Sequence, residues 1–128
     1  MEERAGSADK LSFSVAEFPD HVLVSVTGEI GVAAEGQFRE VLGSALRQEP
    51  SRMVVDLADV PFMASAGVGV LLGIRSVLAA RGGSLVLSSL CPAVARMLEV
   101  TGAAELIPVA ADAEKAVGCG SGAEAREA

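Results

Sequence analysis

A short apolar run that leads through a proline-containing turn into a second apolar segment constrains this chain more than any other feature. Met53-Val54-Val55-Asp56-Leu57 is nearly continuous in apolar side chains, as expected of a central strand covered on both faces. From about Ser65 to Arg81 the pattern reads as a helix, and Gly82-Gly83 stops it. Ser84-Leu85-Val86-Leu87-Ser88 then repeats the buried-strand composition. Strand, helix and strand in that order imply a right-handed crossover and a mostly parallel sheet.

The flanking segments extend the same layer. Leu11, Phe13 and Val15 alternate with polar residues, as do Val22, Val24 and Val26 after Pro19-Asp20, which predicts an N-terminal hairpin and an antiparallel edge strand. Phe38, Val41, Leu42, Ala45 and Leu46 mark one face of a helix that Glu49-Pro50 ends. Pro92 suits the first turn of a further helix with Val94, Met97 and Leu98 inward and Gly102 as its C-terminal cap. Leu106 to Val109 reads as a last strand, and a weak fourth helical signal covers Asp112 to Val117. The expectation is one α/β domain over residues 10–117 with about four helices, a flexible N-terminus over 1–9 and a disordered tail over 118–128.

Composition narrows the function. A net charge of −7 argues against a nucleic-acid-binding surface, since phosphate backbones are held by clustered Lys and Arg. It suits a protein partner with basic contacts, or plain solubility. With no Trp or Tyr and four Phe, stacking platforms for single strands are also lacking. No apolar run approaches the ~20 residues of a spanning helix, so no membrane insertion is expected. Met1 to Lys10 carries charges of both signs without an apolar centre, unlike a secretory signal. A cytoplasmic protein with reduced Cys91 and Cys119 is expected.

Catalytic chemistry is poorly supplied. His21 has no partner at catalytic spacing, and one His with two scattered Cys makes no zinc set. Asp56 and Asp59 suit a solvated or turn-capping role. Gly67 and Gly69 fit neither G-x-x-x-x-G-K-[ST] nor G-x-G-x-x-G, so tight helix packing is the preferred reading. No cofactor and no enzymatic activity are expected. Ser65 remains. On residue physics alone its hydroxyl is a helix cap; as a modification site it would place a phosphate at the positive end of a helix. Gly28–Gly31 and Met63–Gly67 each follow a strand's C-terminal end, where α/β sheets place their functional surface, so they are expected to be neighbours in space.

These residues resemble the STAS domain family, specifically the bacterial anti-sigma factor antagonists, over about Leu11 to Val109. Val24-Ser25-Val26-Thr27-Gly28-Glu29-Ile30 is similar to the family's strand ending in Gly-Glu-Leu. Gly82-Gly83-Ser84-Leu85-Val86-Leu87 and Pro92 to Gly102 resemble its fourth strand and following helix. Ala64-Ser65-Ala66-Gly67 matches the family's Asp-Ser-[Ser/Thr/Ala]-Gly. The resemblance implies a single STAS-like domain and a cytoplasmic anti-sigma factor antagonist, which binds an anti-sigma factor with serine kinase activity and so releases a sigma factor.

By resemblance Ser65 is the phospho-acceptor whose modification ends the interaction, and a serine phosphatase is an implied second partner. The partner-binding residues are Gly28, Glu29, Ile30, Gly31, Ala64, Ser65, Ala66, Gly67 and Val68. Two positions depart from the family pattern: Ala64 and Gly31 stand where aspartates are expected. An antagonist that is not phosphorylated is therefore the alternative, and a regulatory subunit of a membrane transport complex is a third reading.

Overall fold

Strands, helices and strands alternate along the chain because apolar spacing switches between periods of two and about 3.6. The computed structural model describes residues 11–112. The strands are β1 (Ser12–Phe18), β2 (His21–Thr27), β3 (Arg52–Asp59), β4 (Ser84–Ser88) and β5 (Val109–Ala110). The α-helices among the described residues are α1 (Glu35–Leu46), α2 (Ser65–Ala80) and α3 (Pro92–Thr101), with 3-10 turns at Val32–Ala34 and Ala103–Glu105. The sheet order is β1-β2-β3-β4-β5. β1 pairs antiparallel with β2, and every later pair is parallel. The fold is thus the mostly parallel layer with an antiparallel edge that the sequence predicts.

Period-two alternation sends one row of each central strand into the main core. Val22, Val24 and Val26 of β2, Met53, Val55 and Leu57 of β3, and Leu85 and Leu87 of β4 are buried there. Phe38 and Leu42 of α1, Leu71 and Leu78 of α2 and Leu98 of α3 join them. Burying each such side chain contributes about 1.5–3 kcal/mol. Val54 and Val86, on the opposite face, form a smaller buried cluster with Ala110 and half-buried Leu23. This accounts for the near-continuous apolar character of Met53–Leu57, which meets neighbours on both faces.

One of these expectations changes in detail, the last strand, and one extends beyond the described residues. Phe13 and Val15 do sit in a strand, but Phe13 is half exposed and Val15 is also exposed, because β1 is the outer strand while α1 packs on β2 and α2 on β4. The last strand is Val109–Ala110 and not Leu106–Val109. The amides of Leu106 and Ile107 both donate to the Ala103 carbonyl, and Pro108 has no amide to give to a ladder. The fourth helical signal, at Asp112–Val117, extends beyond the described residues, as do the N-terminus at 1–9 and the tail at 118–128.

The ends of α2 and α3 follow the glycine signals. Gly102 takes φ +83° at the C-cap of α3, and its amide donates to the Glu99 carbonyl, a left-handed geometry that side chains with a Cβ resist. No described helix is long and apolar enough to cross a membrane.

Candidate functional site

Two turns at the C-terminal edge of the sheet are joined by backbone hydrogen bonds. After β2 the chain turns at Gly28, with φ +122°, and the Gly28 amide donates to the Asp59 carbonyl at 3.0 Å. Ile30 then makes an isolated parallel bridge to Met63. Its amide donates to the Phe62 carbonyl at 3.0 Å, and its carbonyl accepts from the Ala64 amide at 2.8 Å. The sequence expectation that Gly28–Gly31 and Met63–Gly67 are neighbours is met by these bonds.

Ile30 and Met63 are fully buried, so alternation sends Glu29 and Gly31, Phe62 and Ala64 to the outer side. Gly67 completes the junction from within α2. A Cβ there would lie 2.7 Å from Met63 Cγ and 2.9 Å from Ile30 Cγ2. Only hydrogen leaves room for the two turns to close. The small residue that the sequence assigned to helix packing serves that purpose, and it also fixes the geometry of the surface.

Ser65 is exposed at the first residue of α2. The helix cap is a correction to the reading from residue physics: Ala64 occupies the N-cap, with φ −79° and ψ 166°, and no side chain caps α2. Ser65 comes one residue too late, since a capping hydroxyl must reach forward from extended backbone to the N2 or N3 amide. Its hydroxyl makes no hydrogen bond with the described residues. The helix N-terminus therefore keeps unsatisfied amides beside an unengaged hydroxyl, with no acidic residue in its first turn.

Of the other residues singled out from sequence, Glu29 is exposed and Gly28, Gly31, Ala64 and Ala66 are half-buried. Ile30, Gly67 and Val68 are buried; they shape the turns from beneath and present no side chain outward. Sequence reasoning missed Val32 and Phe62, large apolar residues left exposed beside the same turns. The available signal was that neither fits an apolar period: Phe62 lies between strand and helix, and Val32 precedes the repeat of α1.

The remaining polar candidates have local roles. The Asp56 carboxylate accepts the Ala58 amide at 3.0 Å, a short side-chain turn at the end of β3. Cys91 is the N-cap residue of α3 and its Sγ lies 3.4 Å from the Ala58 carbonyl. His21, at the far edge, bonds Asp20 at 2.8 Å and stacks on Phe18 with centroids 4.5 Å apart. No group of three or more metal-ligating side chains occurs among the described residues. The electrostatic character of the site is acidic: Glu29 and Asp59 are exposed, and no Lys or Arg occurs at 28–38 or 53–74.

Three backbone hydrogen bonds thus join the two segments of an α/β domain and present an unengaged serine on an acidic, partly apolar surface. The STAS domain model matches residues 12–116, and the chain belongs to that family. It is 30% identical over 107 residues to the anti-sigma-B factor antagonist of Bacillus subtilis (strain 168), spanning 84% of this chain and 97% of that protein. An anti-sigma factor antagonist from Mycobacterium paratuberculosis has a crystal structure that superposes with a TM-score of 0.81 at 23% identity, over 91% of this chain and 99% of that one. The anti-sigma factor antagonist SpoIIAA in its unphosphorylated form gives a TM-score of 0.71 at 25% identity, over 83% of this chain and 93% of that one. These relatives are named as regulators and not as enzymes.

Proposed function

We propose that this protein is a cytoplasmic anti-sigma factor antagonist that binds an anti-sigma factor with serine kinase activity, releases the sigma factor, and is switched off by phosphorylation of Ser65. The observation that carries the reading is the exposed Ser65 hydroxyl, unengaged by described residues, at the start of α2 and beside the joined turns. The antagonist relatives support the binding half.

In the phosphoryl transfer, Ser65 Oγ attacks the γ-phosphorus of ATP. The Oγ–P bond forms as the bond to the ADP oxygen breaks, and the hydroxyl proton passes to a base on the kinase. The product carries a charge of about −1.5 to −2 at the helix N-terminus, where free amides and the helix dipole accept it without refolding. A serine phosphatase hydrolyses the ester and resets the protein.

The test uses the full chain with each purified anti-sigma factor of its organism and Mg-ATP. Wild type is expected to bind one of them without ATP and to gain a single phosphate, mapped to Ser65 by mass spectrometry. Ser65→Ala is expected to bind and to remain bound when ATP is added. Binding without modification at Ser65 would sink the switch.

That outcome is the second reading, and one observation favours it. Ala64 and Gly31, which lack the carboxylates of the family pattern, lie at the same junction, because the Ala64 amide bonds the residue before Gly31. An antagonist without the switch follows if those carboxylates orient the serine for the kinase. Replacing both by Asp then raises the phosphorylation rate; an unchanged rate removes this explanation.

A further inference from the structure

Two apolar side chains stand out of the surface that carries Ser65. Phe62 is 43% exposed and Val32 75% exposed. The chain has ample core positions for such residues, yet these two are held at the surface by the backbone that joins the turns. The Phe62 carbonyl accepts the Ile30 amide, and Val32 opens the 3-10 turn two residues after Ile30. Phe62 faces outward with Ala64, opposite the buried Ile30–Met63 bridge. The carboxylates flanking the pair in sequence outnumber the cations. Glu29 adjoins Ile30, and Asp59 is bonded through its carbonyl to Gly28. Glu35 is paired with Arg39, and the two segments have no other cation nearer in sequence than Arg52 and Arg75.

Resting on the antagonist reading above, we infer that Val32 and Phe62 are the apolar anchors of the interface, and that the anti-sigma factor meets them with an apolar pocket edged by Lys or Arg. The charge of the rim selects this occupant, because an acidic border steers a basic-edged partner and repels a second copy of this acidic chain. Large side chains in a desolvated centre, ringed by charge, are where interfaces concentrate their affinity. The same layout gives the switch a mechanism. A phosphate on Ser65, three residues from Phe62, puts a bulky, hydrated dianion at the edge of the apolar contact, where it keeps the partner's pocket from closing over Phe62.

The experiment titrates full-length wild type and variants, by calorimetry without ATP, with the anti-sigma factor that wild type binds. Phe62→Ser is expected to weaken binding about 30-fold and Val32→Ser about 10-fold, as hot-spot truncations do. Val100→Ser, at the opposite end of α3 and 71% exposed, is expected to bind like wild type. Glu29→Gln with Asp59→Asn is expected to flatten the salt dependence of the association rate. Circular dichroism checks folding, and the more exposed Val32 carries the test if Phe62→Ser does not fold. Wild-type binding with both Ser variants within about threefold of it overturns the anchors and leaves the antagonist reading standing. Wild type that binds no anti-sigma factor of its organism overturns both. Self-association that Phe62→Ser abolishes in sedimentation, with affinity for the anti-sigma factor unchanged, assigns the patch to a second copy and overturns the inference.

Discussion

The two edges of the sheet are closed in opposite ways. At the N-terminal edge, side chains do much of the stitching. Asp20 bonds His21 at 2.8 Å, Ser51 Oγ donates to the Asp20 carbonyl at 3.4 Å, and Arg81 donates to the Leu46 carbonyl at 3.1 Å. At the C-terminal edge the turns around Ser65 are joined through main-chain groups, and the side chains of Glu29, Val32, Phe62 and Ser65 point away unengaged by described residues. Side chains also bond main chain at the C-terminal edge, where Asp56 and Cys91 engage Ala58. The two turns around Ser65 differ from both groups, since main-chain bonds hold their shape and leave their outward side chains free, as a rigid platform for binding requires.

Gly83 at one edge and Gly67 at the other have no room for a Cβ, and the two differ in what lies there. At Gly83 the added carbon would sit 2.7 Å from the Ser51 carbonyl oxygen. That oxygen accepts the Ser84 amide at 3.1 Å, so it cannot retreat without weakening the start of β4. Gly83→Ala is expected to cost about 2 kcal/mol, read from urea unfolding, and to leave partner affinity per folded molecule unchanged. At Gly67 the obstacles are the side chains of Met63 and Ile30, which can shift. Gly67→Ala gains helix propensity against this crowding, for a net loss of about 1 kcal/mol. It nevertheless moves the two turns apart, and binding to the anti-sigma factor is expected to fall about tenfold. If Gly67→Ala proves costlier to stability than Gly83→Ala, or leaves binding intact, the division of labour between the edges is broken.

A smaller effect of opposite sign is expected at Ala64. Its extended backbone at the N-cap is suited to a side chain that accepts the N2 or N3 amide. Ala64→Asp is expected to stabilise the fold by about 0.7 kcal/mol. An unchanged urea midpoint would show that Ser65 is already serving those amides, contrary to its position at N1. The gain at this edge would show that stability has been left unclaimed where the binding surface lies.

This asymmetry also separates what the sequence reveals from what it hides. The strands and helices were legible because apolar spacing repeats, and Gly82, Gly102 and Pro92 mark ends through backbone geometry that few other residues share. The meeting of the two turns was legible from topology, since both follow ends of neighbouring parallel strands. The N-cap was not: a one-residue offset between Ala64 and Ser65 decides it, and neither composition nor period resolves a single residue. Nor were Val32 and Phe62, whose exposure depends on the Ile30–Met63 bridge between residues 33 apart in sequence. Leu106 misled for a similar reason. Its apolar side chain suggests a strand, while its amide is committed to the turn at Ala103.

The smallest expected effect tests the stitched edge through pH. The hydrogen bond with His21 is the main reason the Asp20 carboxyl is held below its usual value, with further help from the charges of His21 and Arg52. A carboxyl whose pKa is lower in the folded state than in the unfolded chain favours folding above the unfolded value, and that contribution is lost as pH falls through the folded one. Asp20 is largely exposed, so screening keeps the contribution slight. Asp20→Asn is therefore expected to lower the urea midpoint a little at pH 6, with the difference shrinking as the wild-type carboxyl protonates below about pH 4. A difference that grows on acidification would mean the turn is held by something other than the carboxylate. The same comparison for Ser65→Ala should show no pH-dependent difference, since nothing in the described fold leans on that hydroxyl.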